Sequence, residues 1–345
     1  MKGPSAARAA DGPRPPAGEG HEVAPGVTWV RLPLPYALDH VNVWVLADGE
    51  GWTVVDTGHG DDPTRAAWER IELSVLRGRP VGRVLVTHHH PDHVGLAGWM
   101  AERWGSELWC TRTEWLAARA GKLEPLAETQ ALAAAFYLRA GVAREAIPAL
   151  RERCRAYPAN VSPVPASFRR LQEGDEVRVD GSPWRVVVGR GHAPEHACLF
   201  APERGILVAG DQVLPHITPN VSVWPHEPEA EPLSEYLRSL SALETLPDDV
   251  LVLPSHGLPF RGLHRRLRQL AEHHHQRLDA ILEACAGRPR TAWDVTQVLF
   301  TRGLDPHQTT FAVGESLAHL HHLVAGGRLR RDRVPGEPDR WVLLR

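Results

Sequence analysis

The chain has 345 residues, of which 43% are hydrophobic and 23% charged, and its formal net charge at pH 7 is −3. This composition excludes a globally disordered chain and gives no general reason to expect a nucleic acid or an anionic membrane as partner. Because no run of 18 apolar residues occurs, no membrane-spanning helix is expected. The length predicts two domains, or one large domain with an accessory one.

The first 22 residues are rich in Pro, Gly and Ala and lack the apolar segment of a secretory signal. They predict a disordered tail over residues 1–22. The cysteines are widely spaced, and none forms a C-x-x-C pair. This spacing disfavours a zinc ribbon or a redox dithiol, and a reduced, cytoplasmic setting fits best.

Strand-like patterns begin near Val23. Runs at 41–46 and 52–55 flank a glycine-containing turn and predict a β-hairpin. A helix is expected over 63–76, because apolar residues recur there at spacings of four. The nearly apolar run at 83–87 predicts a buried strand.

Residues 107–155 are mostly Ala, Leu, Arg and Glu, which are good helix formers. They predict a helical insertion that covers one face of the fold and ends in a proline-rich stretch at 157–167. Further strands are expected at 176–179, 184–188, 197–200, 206–209 and 250–253. Strands that alternate with helices in this way predict a layered α/β sandwich.

Beyond Gly262 the pattern changes to helices at 263–286, 291–300 and 314–325, followed by strands at 328–331 and 341–344. Three helices and a hairpin in this order resemble a winged helix. Residues 262–345 carry 13 arginines against nine acidic residues, so this part of the chain is basic. The predicted domains are the tail at 1–22, a catalytic domain at 23–262 and a winged-helix-like domain at 263–345.

The strongest pattern is H-x-H-x-D-H, formed by His88, His90, Asp92 and His93 directly after the predicted buried strand. Residues i and i+2 of an extended segment point the same way, and Asp92 and His93 are expected to open a helix. Imidazole and carboxylate together suit Zn, Fe or Mn. The pattern therefore predicts a metal site.

Four more polar residues each follow a predicted strand. They are His192 in G-H-A-P-E-H, Asp211 in A-G-D, His256 in P-S-H-G and Asp56 in V-D-T-G. Each alone is typical of an ordinary turn. Ligands from several strand ends can nevertheless meet at one edge of a sheet.

In this order, the elements resemble those of the metallo-β-lactamase superfamily over about residues 23–262. The resemblance implies an αββα sandwich that holds two metal ions. It implies a first site of His88, His90 and His192, a second of Asp92, His93 and His256, and a bridging carboxylate at Asp211. Asp56 is similar to the superfamily's aspartate that orients a ligand histidine.

Such a centre would use a bridging hydroxide between the two ions to attack a carbonyl carbon or a phosphorus. Asp92 is expected to help protonate the leaving group. His196, four residues after His192, is a candidate for a substrate-side or supporting role. Zn2+ is favoured by the three-histidine site, with Fe or Mn as alternatives. The histidines at 273–275 and 319–322 lie on predicted helices, where neighbouring side chains diverge, and are not expected to share a metal.

The expected function is hydrolysis of a small acyl ester-type bond, such as a thioester or a lactone, with the helical insertion as the roof of an acyl pocket. The alternative is a nuclease or phosphodiesterase aided by the winged-helix-like tail, and a third hypothesis is a mononuclear-iron sulfur dioxygenase. The run at 210–222 resembles a bacterial subgroup with a C-terminal winged-helix appendage. The animal relatives of this subgroup are similar to endoribonucleases, and its fungal relatives resemble acyl-carrier-protein thioesterases. The expected partner is a small-molecule substrate. Nucleic acid is not favoured, no membrane is expected, and a homodimer remains open.

Overall fold

The computed structural model describes residues 8–9 and 14–344. Its strands are β1 (Arg8–Ala9), β2 (Gly20–Ala24), β3 (Val27–Pro33), β4 (His40–Asp48), β5 (Gly51–Val55), β6 (Val81–Leu85), β7 (Glu107–Thr111), β8 (Arg169–Leu171), β9 (Glu176–Val179), β10 (Ser182–Gly189), β11 (His196–Ala201), β12 (Ile206–Gly210), β13 (Leu251–Pro254), β14 (Phe260–Arg261), β15 (Leu329–Asp332) and β16 (Arg340–Leu343). Its α-helices are α1 (Asp62–Ile71), α2 (Pro91–Val94), α3 (Ala97–Trp104), α4 (Arg112–Leu123), α5 (Leu126–Arg139), α6 (Ile147–Glu152), α7 (Ala156–Ala159), α8 (Pro232–Leu243), α9 (Leu263–Cys285), α10 (Ala292–Leu299) and α11 (Pro306–Ala325).

The chain divides into two compact units. The first consists of Met1–Leu123, Tyr157–Pro219 and Leu243–Arg266, and the second of Glu124–Ala156, Asn220–Ala242 and Leu267–Arg345. The boundary predicted at residue 262 lies near the last junction, but the second unit also takes in two earlier segments.

Part of the predicted tail at residues 1–22 lies outside the described residues, namely 1–7 and 10–13. Its described part differs from the prediction at two places. Arg8–Ala9 pairs with β14, and β2 begins at Gly20 and pairs with β3. These segments have the backbone hydrogen bonds of a sheet, which a disordered tail does not provide.

The first unit contains two seven-stranded sheets. One has the strand order β2-β3-β4-β5-β6-β7-β8, and the other has the order β1-β14-β13-β12-β11-β10-β9. Strands β5 to β8 run parallel, as do β12 and β13, and the remaining neighbours are antiparallel. The predicted α/β sandwich is confirmed.

Apolar residues cover both faces of the first sheet. Leu85 packs in one buried cluster with Trp184 and Leu253 of the second sheet, and all three are at most 1% exposed. Its neighbour Val84 points to the opposite face and joins a cluster with Trp68 of α1. Alternating side chains along β6 therefore join the two sheets on one face and bind the helical layer on the other.

The helical insertion predicted at 107–155 is wrong at its start, because Glu107–Thr111 forms β7. Leu108 and Cys110 are buried in the apolar cluster on the helical side of the first sheet. The backbone of β7 pairs with β6 and β8, and Trp109 and Thr111 are residue types that favour strands, unlike the helix formers that follow them. Helices α4 to α7 follow from Arg112 onwards.

The second unit ends in α9, α10, α11 and the antiparallel hairpin of β15 and β16. The predicted helix at 314–325 begins earlier, at Pro306, because the Asp305 side chain accepts a hydrogen bond from the Gln308 backbone N–H and caps α11. Within the described part of the chain, no helix combines the length and apolarity needed to cross a bilayer.

Candidate metal centre

Polar side chains at strand ends of both sheets meet in the first unit. Asp56 follows β5, and the segment from His88 to His93 follows β6, in the first sheet. His192 follows β10, Asp211 follows β12 and His256 follows β13, in the second sheet. His90 precedes α2, whose first turn holds Asp92 and His93, as predicted. All seven predicted metal ligands therefore come together, and each sheet supplies several.

The first cluster contains the imidazoles of His88, His90 and His192. His88 Nε2 lies 3.0 Å from His90 Nδ1 and 3.2 Å from His192 Nε2. Burial and the neighbouring imidazoles hold the pKa of His88 and His90 well below 6.5. These rings are therefore neutral at neutral pH, which is the form that binds a metal.

The second cluster contains Asp92, His93 and His256. Asp92 Oδ2 lies 3.4 Å from His256 Nε2 and 3.6 Å from His93 Nε2. Burial alone would lower the pKa of both rings, but nearby carboxylates outweigh it, raising the pKa of His256 to about 10 and that of His93 well above 6.5. The carboxylates around the second cluster therefore stabilise positive charge on its histidines.

Asp211 lies between the two clusters. Its Oδ2 is 3.5 Å from both His192 Nε2 and His93 Nε2, and its Oδ1 is 3.4 Å from His256 Nε2. The carboxylate is thus within reach of ligands from both clusters, which is the placement that a bridging ligand needs.

Asp56 and Thr87 orient two of the rings. The Thr87 hydroxyl donates to the Asp56 carboxylate and so accepts from Nδ1–H of His88 at 3.0 Å. Asp56 Oδ2 accepts from Nδ1–H of His93 at 2.9 Å. Both rings therefore use Nδ1–H in an outer hydrogen bond and turn Nε2 toward the clusters, which is the orientation in which Nε2 can bind a metal.

His196 lies behind the clusters and is fully buried. Its Nε2 accepts a hydrogen bond from the Asp211 backbone N–H at 3.1 Å, and its ring stacks on His88 with centroids 4.9 Å apart. Of the two predicted roles, this placement fits the supporting one, because a fully buried ring has no surface for a substrate.

Three contacts at the centre were not anticipated from the sequence. The backbone carbonyl of His40 accepts from Nδ1–H of His256 at 2.9 Å. His89 turns toward Glu114, whose carboxylate lies 2.6 Å from His89 Nδ1, and the Tyr157 hydroxyl donates to the His89 carbonyl. A single polar residue in a helix or strand carries no pattern that would predict such contacts.

A further histidine cluster occurs in the second unit, where His274, Glu315 and His319 lie together. The sequence predicted no convergence within either histidine triplet, but one member of each lies here, with His274 Nδ1 3.1 Å from His319 Nε2. Arg277 Nη1 binds Glu315 Oε1 at 2.6 Å and neutralises its charge. The cluster is therefore a buried hydrogen-bonded network.

The donor set in the first unit fits divalent metal ions. His93 Nε2 and Asp211 Oδ1 are buried and have no hydrogen-bond partner within the described part of the chain. Buried polar atoms are normally hydrogen-bonded or bound to a metal, since burial without a partner is unfavourable. Imidazole nitrogens and carboxylate oxygens are ligands of catalytic zinc and of other transition metals.

Comparisons with known proteins agree with this geometry. The family model of the metallo-beta-lactamase superfamily matches residues 36–256, and that of the metallo-beta-lactamase-like C-terminal domain matches residues 278–342. The crystal structure of a beta-lactamase domain protein from Burkholderia ambifaria is 45% identical, covers 96% of both chains and has a TM-score of 0.89.

Two curated relatives are named as hydrolases. The probable metallo-hydrolase YqjP of Bacillus subtilis is 26% identical over 86% of this chain and 91% of its own length. The hydroxyacylglutathione hydrolase of Chromohalobacter salexigens is 26% identical over 74% of this chain and 75% of its own length. The chain therefore belongs to the metallo-beta-lactamase superfamily, and it is a metallo-hydrolase whose histidine and aspartate clusters fit a dinuclear metal site.

Proposed function

We propose that this metallo-hydrolase cleaves a small acyl ester-type bond, with a thioester as the first choice and a lactone as the second. The observation that carries the proposal is the position of Asp211 within 3.5 Å of histidines from both clusters. A similar protein from Chromohalobacter salexigens is named a hydroxyacylglutathione hydrolase, and an acylglutathione is a thioester.

We propose that His88, His90 and His192 hold one ion, that Asp92, His93 and His256 hold the other, and that Asp211 bridges them. Zn2+ is the proposed ion, because the first cluster consists of three histidines, a ligand set of catalytic zinc sites. Two such ions, when bound, supply the Lewis acidity that activates water and polarises the scissile carbonyl.

Proton transfer and the positioning of the ligands are roles of side chains around the centre. Asp92 has the most exposed carboxylate of the centre, with 21% of its side chain exposed against 9% for Asp211 and 1% for Asp56. It is therefore the group that can receive a proton from water and pass it to the leaving group. Asp56 and His196 position the rings and the Asp211 backbone and do not contact the substrate.

The test is a substrate panel on protein whose metal content has been measured. Zinc-loaded protein is assayed on thioesters, lactones, β-lactams and phosphodiesters, alongside the His90→Ala and Asp211→Ala variants. Turnover of thioesters or lactones that both variants abolish is the expected result. Turnover of phosphodiesters alone would replace the proposal with the nuclease alternative. One equivalent of iron with oxygen consumption on a persulfide would replace it with the dioxygenase.

We also infer that α9 to α11 and the hairpin of β15 and β16 form a winged-helix-like domain. Its support is the order of three helices and a two-stranded hairpin, together with the 13 arginines after residue 261. A filter-binding assay at low salt tests for nucleic acid, and we expect no retention of duplex DNA or RNA.

A further inference from the structure

Glu114 is a buried carboxylate that joins two loops of the metal centre. It lies in the first turn of α4, and 1% of its side chain is exposed. Its Oε2 accepts from the His89 backbone N–H at 2.9 Å and contacts His89 Nδ1 at 2.6 Å. Its Oε1 accepts from the Glu195 backbone N–H at 2.7 Å. One side chain thus spans the loop after β6 and the loop after β10.

These two loops carry all three histidines of the first cluster. His88 and His90 flank His89, and His192 lies three residues before Glu195. The distance between the loops determines how far His192 lies from His88, now 3.2 Å between their Nε2 atoms. A bond from Glu114 to each loop therefore controls the spacing of the first cluster.

Residues where β7 meets α4, and one residue of α7, make further hydrogen bonds to the same two loops. Thr111 Oγ1 donates to the Glu195 carbonyl at 2.8 Å, and the Thr113 backbone N–H donates to Glu195 Oε2 at 3.1 Å. From α7, the Tyr157 hydroxyl donates to the His89 carbonyl at 2.6 Å, so both the backbone N–H and the backbone C=O of His89 are hydrogen-bonded. Together with those of Glu114, these contacts fix the two loops to β7, α4 and α7, which supply no proposed metal ligand.

The second cluster has supports that do not involve Glu114. Nδ1–H of His93 is held by Asp56 and that of His256 by the His40 carbonyl, and neither support contacts Glu114 within the hydrogen bonds of the described residues. Loosening the Glu114 contacts should therefore disturb one half of the centre and spare the other.

We propose that Glu114 is a positioning residue that sets the geometry of His88, His90 and His192 and thereby the metal affinity of that cluster alone. The inference rests on the two-metal site proposed above. Groups that orient metal ligands typically change metal affinity by about 10- to 100-fold when replaced. A role in general stability would instead lower the affinity of both clusters or leave both unchanged.

The experiment isolates each cluster in the full-length protein. The His256→Ala background keeps the first cluster intact, and the His192→Ala background keeps the second. Zn2+ affinity is measured in each background by competition with a chromophoric chelator, with and without Glu114→Gln. The expected result is about 10- to 100-fold weaker binding in the first background and less than a twofold change in the second. Equal losses in both backgrounds, or no loss in either, would overturn the inference.

Glu72→Gln is the matched control. Glu72 accepts hydrogen bonds from Arg103 and Trp104 but none from either loop, so its replacement should leave both affinities unchanged. If Glu114→Gln does not fold, Glu114→Asp is measured in its place, because it keeps the charge, shortens the reach to both loops and should weaken the first cluster alone. Wild-type protein that binds fewer than two ions would instead contradict the two-metal proposal itself.

Discussion

The carboxylate of Asp56 lies 2.9 Å from Nδ1 of His93, and both side chains are at most 1% exposed. Asp56 adopts a positive φ of 65° at the end of β5, which is uncommon outside glycine. That backbone conformation aims the carboxylate at His93 and at Thr87, so local conformation and metal-site geometry are linked.

Replacing Asp56 with Asn should weaken metal binding. The charged acceptor for Nδ1–H of His93 is lost, and we expect about 10- to 100-fold lower Zn2+ affinity with cooperative unfolding retained. Competition titration with a chelator measures the Zn2+ affinity. Asp61→Asn is the control, since Asp61 makes a similar 2.8 Å contact with His59 outside the clusters. Unchanged affinity in Asp56→Asn would contradict this role.

Replacing Gly210 with Ala should destabilise the protein beyond the effect of its backbone conformation. Gly210 has a φ of 53°, and an added Cβ would lie 2.4 Å from the His196 ring. Gly205 has a φ of 59° but open space around its Cβ position, so Gly205→Ala measures the backbone effect alone, about 1 kcal/mol. We expect Gly210→Ala to lose at least about 1 kcal/mol more in urea unfolding. If both variants lose the same free energy of unfolding, the His196 ring moves aside without cost, and the prediction is wrong.

Lowering the pH should destabilise the second unit through His274 and His319. Burial lowers their pKa to about 2 and about 3, whereas an unfolded histidine titrates near 6.5. Below pH 6.5 the unfolded chain therefore binds protons that the folded chain does not, and stability falls as the pH falls toward 3. Between pH 6.5 and 5.5 each histidine should account for up to about 1 kcal/mol.

The measurement is urea unfolding of chelator-treated protein at the two pH values, compared with a His274→Gln/His319→Gln double variant. The wild type should lose about 2 kcal/mol more than the variant over this interval. Equal pH dependence in the two proteins would mean that these rings are already protonated in the folded state.

Removing metal should lower the melting temperature. An ion at 100 times its dissociation constant stabilises the folded state by about 2.7 kcal/mol, and a chain of this size should lose several degrees when the ion is removed. Differential scanning calorimetry with EDTA and then with added Zn2+ measures the shift. His256→Ala should show a smaller shift than the wild type, and an unchanged wild-type melting temperature would count against a resident ion.

The sequence reveals the strand-end residues well because their signals are local. The ligands at His88, His90, Asp92 and His93 lie within six consecutive residues, and residues 84–86 shortly before them are apolar and buried. The bounds of β9 to β13 also agree with the predicted ones to within a few residues. Strands β11 to β13 are buried at every position, and burial on both faces of a sheet favours short runs of mostly apolar residues that can be read from the sequence.

Features that depend on distant contacts were not predictable in this way. Glu114 meets Glu195 across 81 positions of sequence, and Nδ1–H of His256 meets the His40 carbonyl across 216. The segment Glu107–Thr111 stands at the start of a long stretch of helix formers, and its pairing with β6 and β8, which makes it a strand, depends on residues distant in sequence. The two earlier segments of the second unit likewise have no compositional boundary that assigns them to it.

The origin of the ligands bears on the order in which the centre assembles. The first cluster combines His88 and His90 from one sheet with His192 from the other, and the second combines Asp92 and His93 with His256 in the same way. Neither cluster is complete until the two sheets dock. A bound ion therefore stabilises the docked sheets relative to an incompletely folded chain, so that the free energy of metal binding adds to that of docking.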